Sequence, residues 1–293
     1  MKQSMILISA ITVLLISCGK NTSDADAYGN FQSDETIVSA ETSGPVIFVG
    51  IDEGMQVSKG KLAMVVDSVQ YALKVNELKA KLKATKARKA NVYAQAAVYE
   101  QQKKVVLKDL DRLKKMFSDG AATQKQLDDI NGQVEVLNRQ ISSVQSNLEG
   151  IDAEAQAIQT GIMQAVDLLK RTKVYTPAKG IILEKYAELG EMAAPGKALF
   201  KMADLDTMEL KAYVSALQLP AIKLGQKVKV SIDAPDGGMK DYEGTISWIA
   251  SEAEFTPKNI QTKEERVSQV YAIKVRVKND GAIKLNMPGE VRF

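Results

Sequence analysis

From Leu127 to Thr172 the apolar positions recur in alternating steps of three and four residues. The series is Leu127, Ile130, Val134, Leu137, Ile141, Val144, Leu148, Ile151, Ala155, Ile158, Ile162, Ala165, Leu169 and Thr172. A repeat of 3.5 held this long predicts a helix committed to a supercoiled pair. A matching but weaker series precedes it: Leu78, Leu82, Thr85, Lys89, Val92, Ala96, Tyr99, Lys103, Val106, Leu110, Leu113 and Phe117. Lys89 and Lys103 interrupt that stripe. No proline falls between Gln70 and Thr172, and Ala, Lys, Gln and Glu dominate, all good helix formers.

Between the two series lies Ser118-Asp119-Gly120-Ala121-Ala122-Thr123. Gly120 suits the left-handed residue that ends a helix, and Thr123 suits the N-cap of the next. The break predicts an antiparallel hairpin over residues 69–172, with arms of roughly 48 residues reaching ~70 Å. One continuous helix in a parallel dimer is the alternative, and the turn residues weigh against it.

The flanks of the hairpin change period and resemble each other. Ser43-Gly44-Pro45-Val46-Ile47-Phe48-Val49 leads to Glu53-Gly54-Met55-Gln56-Val57-Ser58-Lys59-Gly60-Lys61-Leu62. On the other side Ala178-Lys179-Gly180-Ile181-Ile182-Leu183 leads to Leu189-Gly190-Glu191-Met192-Ala193-Ala194-Pro195-Gly196-Lys197-Ala198-Leu199. Each half reads as a short strand, a glycine turn, and then G-x-x-V/A-x-x-G-K-x-L. The glycines serve turns, and the apolar residues between them fill one shared core. The halves are expected at 37–68 and 173–204.

Beyond Leu205 apolar and polar residues alternate: Met208, Leu210, Ala212, Val214; Val228, Val230, Ile232; Tyr271, Ile273, Val275, Val277. Turn clusters at Ala234-Pro235-Asp236-Gly237-Gly238 and Lys278-Asn279-Asp280-Gly281 separate these strands, predicting a small β-barrel over 205–293. A short helix is expected at Ser215–Lys223, shortened by Pro220.

The N-terminus stands apart. Lys2 and the apolar stretch Met5–Ile16 have the layout of a secretory signal over residues 1–17, too short to span a bilayer comfortably. It ends in Leu15-Ile16-Ser17-Cys18, which resembles the bacterial lipobox, so Cys18 is the expected lipid-attachment site. Residues 18–36 are polar and read as a lipidated tether. The 293-residue chain has one cysteine, no histidine and a formal charge of +3. With Cys18 lipidated, no disulfide is expected. The lack of histidine removes imidazole ligands, bases and triads. No phosphate loop and no dominant basic block occur, so neither ATP hydrolysis nor nucleic-acid binding is expected. Eleven scattered methionines give no soft-metal relay. Glu252, Glu254, Glu264 and Glu265 read as solvated carboxylates. No cofactor, metal or enzymatic activity is expected.

The two halves are similar to those of a biotinyl/lipoyl domain, and the whole arrangement over 37–293 resembles the HlyD-type membrane fusion proteins. The fold so implied is mainly β with a long α-helical hairpin: a split lipoyl-like (barrel-sandwich hybrid) domain, an antiparallel coiled coil and a C-terminal β-barrel. In a lipoyl carrier the halves meet at a tight hairpin bearing the modified lysine. Here the coiled coil replaces that junction, and Lys59, Lys61 and Lys197 sit in other turns. Leu205-x-x-Met208-x-Leu210-x-Ala212-x-Val214, Leu224-Gly225-Gln226-x-Val228, Gly244-Thr245-Ile246-x-x-Ile249 and Met287-Pro288-Gly289-Glu290-Val291 fit the family's barrel, with Glu290 where a methionine is usual.

The resemblance implies a periplasmic adaptor in a Gram-negative cell, anchored by lipid with the inner membrane favoured. It would join an inner-membrane transporter to a TolC-like outer-membrane channel as a homo-oligomeric ring, a hexamer by family. Residues 254–266 look more like adaptors of ATP-driven (ABC) transporters than those of proton-driven (RND) pumps. At the hairpin tip, Arg112, Met116 and Thr123 are similar to an Arg-Leu-Ser pattern for binding the channel, with Met for Leu and Thr for Ser. A solvated Arg112 and a purely capping Thr123 are the plainer reading. The alternatives in function are an adaptor of an RND pump, a structural coiled-coil lipoprotein, and an acyl-carrier subunit, which needs a lysine at a tight hairpin.

Overall fold

The computed structural model describes residues 25–235, 237–255 and 269–293. Cys18, and residues 256–266 of the stretch singled out above, lie outside them. The described residues divide into two compact units, one drawn from 25–36, 178–183 and 202–293, the other from 37–177 and 184–201.

In chain order the strands are β1 (Ala27–Gln32), β2 (Glu35–Ser39), β3 (Gly44–Val49), β4 (Gln56–Val57) and β5 (Leu62–Val66). Helices α1 (Val69–Ser118) and α2 (Gln124–Arg171) follow, then β6 (Lys173–Tyr175), β7 (Gly180–Lys185), β8 (Met192–Ala193), β9 (Ala198–Ala203) and β10 (Thr207–Ser215). The last strands are β11 (Lys227–Asp233), β12 (Met239–Ile249), β13 (Glu254–Phe255), β14 (Gln269–Lys278) and β15 (Pro288–Arg292).

The lipoyl-like fold is two four-stranded sheets, ordered β2-β9-β7-β4 and β6-β5-β3-β8, so each mixes strands from both sequence halves. The internal repeat is realised turn by turn. Gly54 and Gly190 take φ of +78° and +88°, and Gly60 and Gly196 take +80° and +86°, where a side chain is disfavoured. The N–H of Met55 donates to Asp52 O, and that of Glu191 donates to Glu188 O, both at 3.1 Å. Val57 and Ala193, equivalent in the repeat, are both buried.

The hairpin obeys the periodicity closely. Every member of the second series is buried or half-buried on α2, and so is every member of the first series on α1 except Phe117. Lys89 and Lys103 keep the register because their alkyl stems lie along the seam while the charges turn outward. Lys89 pairs with Asp152 across the hairpin, and beside it Arg88 pairs with Glu154. At the base, the Tyr71 hydroxyl donates to Ser43 O (3.0 Å) and accepts from Ser43 N–H (3.1 Å). Val66 N–H donates to Thr172 O at 2.8 Å, and Arg171 pairs with Glu41.

The barrel runs β10-β1-β15-β11-β12-β14 and closes by β14 pairing with β10, while β13 extends β14 at the side. The period-two positions point inward: Met208, Leu210, Ala212, Val214, Val228, Val230, Ile232, Ile273, Val275 and Val277 are all buried. Tyr271 packs partly buried against them.

Two local expectations differ. The expected tether contains β1, which pairs with β10 and β15 and is one of the six barrel strands. Phe31 is 0% exposed. Gly289 makes room for it, since a Cβ there would fall 2.7 Å from the Phe31 ring. Asp26 fixes the start of the strand: its N–H donates to Val291 O, and its carboxylate accepts from Phe293 N–H, both at 2.9 Å. The helix expected at 215–223 is one 3₁₀ turn, Leu219–Ala221, because Pro220 supplies no N–H to propagate it.

Candidate functional site: the hairpin tip

Two opposed devices end the arms of the hairpin. At the end of α1, Ala121 N–H donates to Met116 O (2.8 Å) and Gly120 N–H to Phe117 O (3.1 Å) around Gly120 at φ +72°. This is the Schellman closure, in which glycine carries the left-handed turn and the last carbonyls stay paired. Thr123 then opens α2 with a full capping box. Gln126 N–H donates to the Thr123 hydroxyl at 3.4 Å, and Thr123 N–H donates to the Gln126 side-chain oxygen at 2.8 Å. The turn is thus held by its own backbone and by the side chains of Thr123 and Gln126.

The side chains around it face solvent. Arg112 lies two turns before the end of α1, with 78% of its side chain exposed and one intrahelical ion pair, to Asp109 at 3.3 Å. Met116, one turn further on the same face, is 47% exposed. All three residues picked from sequence therefore belong to the tip region, Thr123 with a demonstrated capping role. Phe117, expected on the coiled-coil seam, is instead 40% exposed. The seam needs a facing helix, and α1 ends one residue later. Its position as the last member of the series was the available signal. Met116 and Phe117 form an exposed apolar pair flanked by Arg112, Lys114 and Lys115, a surface able to bury apolar area and fork to carboxylate or carbonyl oxygens.

Elsewhere the carboxylates serve structure. Glu254 pairs with Lys211 at 3.1 Å. Burial works to lower the Lys211 pKa, but bonds to Glu254 and Tyr213 outweigh it and raise it above the ordinary lysine value. Among the described residues no cluster of His, Cys, Asp or Glu could hold a metal ion. Lys61 lies with its ammonium 2.9 Å from Met55 Sδ, and Lys197 reaches Glu191 at 3.3 Å and Met192 O at 2.9 Å. Neither stands at a tight hairpin between the halves, where α1 and α2 are inserted instead.

The family model for the CzcB-like barrel-sandwich hybrid domain matches residues 34–204, which takes in both halves of the sandwich and the whole coiled coil. The chain belongs to this family. A UPF0194 membrane protein of Enterobacter sp. (strain 638) is similar at 25% identity over 100% of this chain and 98% of that protein. A UPF0194 membrane protein from the asrC 5' region of Acidithiobacillus ferridurans is 32% identical, over 48% of this chain and 41% of its own length. Among solved structures, MacA from Actinobacillus actinomycetemcomitans superposes with a TM-score of 0.57 at 22% identity, over 90% of this chain and 76% of that one. The membrane fusion protein Spr0693 from Streptococcus pneumoniae R6 gives 0.56 at 14% identity, over 90% and 97%. The CzcB-like sandwich, hairpin and barrel are thus the membrane fusion protein architecture. No helix among the described residues is long and apolar enough to cross a membrane.

Proposed function

We propose that this CzcB-like chain is a non-catalytic periplasmic adaptor, lipidated at Cys18, which couples an inner-membrane transporter to a TolC-like outer-membrane channel. The observation that carries the reading is the hairpin tip. Arms of about 70 Å end in a backbone-locked turn that presents Arg112, Met116 and Phe117 to solvent. A long, rigid pair of helices with an apolar-cationic end suits reach and recognition. The sandwich supports the same view, because inserting α1 and α2 between its halves removes the hairpin a carrier lysine would need.

An ABC-type transporter is the proposed partner, on the resemblance carried by residues 254–266. The adaptor acts as a homo-oligomeric ring, a hexamer on family resemblance, anchored in the inner membrane so that the tip points away. Affinity purification of the lipidated protein from crosslinked membranes, with mass spectrometry of what accompanies it, tests all of this. Recovery of an ATP-binding permease and an outer-membrane channel is the expected result. A proton-driven pump in its place would overturn the transporter assignment, and no transporter of either kind would overturn the adaptor reading.

A further inference from the structure

The barrel carries its most exposed apolar residues at one end. Strands β1 and β10 pair antiparallel, Tyr28 opposite Tyr213 and Gln32 opposite Glu209, so Asp26 and Ser215 share that end. The segment from Ser215 to Lys227 crosses it. Leu219 and Ile222 pack against the barrel core, whereas Leu217 and Leu224 stay in solvent on either side of them. At 93% and 69% these are the two most exposed large apolar side chains among the described residues. Lys223, next to Leu224, is exposed as well. Phe293, also partly exposed, joins the same rim through its N–H, donated to the Asp26 carboxylate at 2.9 Å. A single exposed leucine is ordinary on a protein surface. Two on one short segment beside a lysine make a patch.

Side-chain and backbone bonds hold the segment in place. The Gln218 side-chain oxygen accepts from the N–H and the hydroxyl of Ser215, both at 2.9 Å, and its amide N–H donates to Asp26 O at 2.8 Å. Lys223 N–H donates to the Gln226 side-chain oxygen at 3.0 Å, and Gly225 N–H to Ile246 O at 2.8 Å. Both leucines are therefore presented by a backbone already ordered, and little conformational freedom is left to lose when they are buried.

The chain before β1 says what buries them. Asp26, bonded to this segment, stands eight residues after Cys18. Eight residues span at most about 28 Å. A lipid on Cys18 therefore keeps the rim within that distance of the bilayer. A link so short gives the rim an effective concentration of about millimolar or more, at which burial of two leucines is enough to dock it. We propose that this rim seats the barrel on the phospholipid bilayer that holds the Cys18 lipid. Leu217 and Leu224 enter the boundary between headgroups and acyl chains, and Lys223 stays at the phosphates. This rests on the lipidation of Cys18 in the adaptor reading and adds a second contact to it. A lipid on one residue limits distance but leaves the barrel free to turn, whereas lipid and rim together fix which end faces the membrane.

The test uses the full-length lipoprotein reconstituted, without other proteins, in vesicles of phosphatidylethanolamine and phosphatidylglycerol. L217C and L224C each carry a thiol-reactive, polarity-sensitive fluorophore. K284C is the control, in the exposed connection between β14 and β15 at the other end of the barrel. The expected result at 217 and 224 is a blue-shifted emission, quenching by brominated acyl chains and loss of quenching by aqueous iodide, with the reverse at 284. Iodide quenching at 217 and 224 equal to that at 284 overturns the proposal. Iodide access in vesicles but not in native membranes also overturns it, since a protein then covers the rim. Intact-mass measurement of the same sample reads the lipid on Cys18 separately. If that lipid is absent, the adaptor reading loses its anchor, and the labels are read instead on C18S protein held to a nickel-chelating lipid by an N-terminal histidine tag. Acyl-chain quenching there supports the rim without the lipid, and iodide quenching overturns it.

Discussion

Whether β1 is a working part of the barrel can be decided by a cycle on Phe31 and Gly289. Phe31 is fully buried, and its ring occupies the space that a side chain at 289 would need. Phe31→Ala removes that ring from a closed core and should cost about 3–5 kcal/mol. Gly289→Ala forces a methyl to within 2.7 Å of the Phe31 ring and 3.1 Å of Leu210. That overpacking should cost about 1–3 kcal/mol. In the double variant the new methyl occupies part of the vacated space, so the combined loss should fall short of the sum by about 1 kcal/mol or more. Tyr28→Ala, at an outward and 55% exposed position of the same strand, is the control and should stay within about 0.5 kcal/mol. The chain's one tryptophan, Trp248, lies on β12, so its fluorescence during urea unfolding reads the barrel. Far-ultraviolet circular dichroism reads the hairpin, which matters because a chain of two units need not unfold in one step. If Phe31→Ala leaves the tryptophan transition unmoved, β1 is not part of the barrel in solution and the segment is the tether its polarity suggests. Additive effects at 31 and 289 would refute their contact.

Arg112→Asp should abolish export that depends on the outer-membrane channel while leaving helix content unchanged, as measured by compound sensitivity of cells and by circular dichroism. Unchanged resistance refutes the role given to the tip. Gly120→Val should cost the hairpin about 1–2 kcal/mol, because a β-branched residue is forced to a positive φ; equal stability by circular dichroism would refute the Schellman closure. Asp280 is held down to about 2 by its bond from Lys240, with help from Ala282 N–H and Tyr242. Its folded pKa lies below the unfolded one, so its contribution is present above about pH 4 and lost as pH falls toward 2. Asp280→Asn should therefore flatten the acid limb of barrel stability followed at Trp248, and an identical acid limb would refute the assignment.

What was legible in the sequence is what repeats locally. The 3.5-residue spacing placed both arms and their seam, and even Lys89 and Lys103 fell on it, because a long alkyl stem can pack where its charge cannot. The paired glycines marked equivalent turns, since only a left-handed position makes glycine recur at that spacing. The alternation of Met208 to Val214 gave the inward face of β10. The first barrel strand escaped because its inward residues are Ala27, Gly29 and Phe31, and only one of them is large. Its place depends on pairing with residues 209–213 and 288–291, far along the chain, which no local period records. Phe117 escaped for the reverse reason: it continues a period whose partner helix has already turned away.

The same contrast explains why the tip, and not the sandwich, is where function should be sought. Two of the turn lysines of the sandwich have a local structural use: Lys197 is tied to Glu191 and Met192, and Lys61 lies against Met55. The base of the hairpin is similarly committed, through Tyr71 to Ser43 and Val66 to Thr172. At the tip the turn is closed by the Schellman bonds and the capping box, none of which uses the side chains of Arg112, Met116 or Phe117. Met116 and Phe117 leave 47% and 40% of their surface in water beside a cluster of cations, an exposure costly to solubility. On the proposed function they serve a surface outside the chain, and on that reading Arg112→Asp should spare the fold and abolish the function.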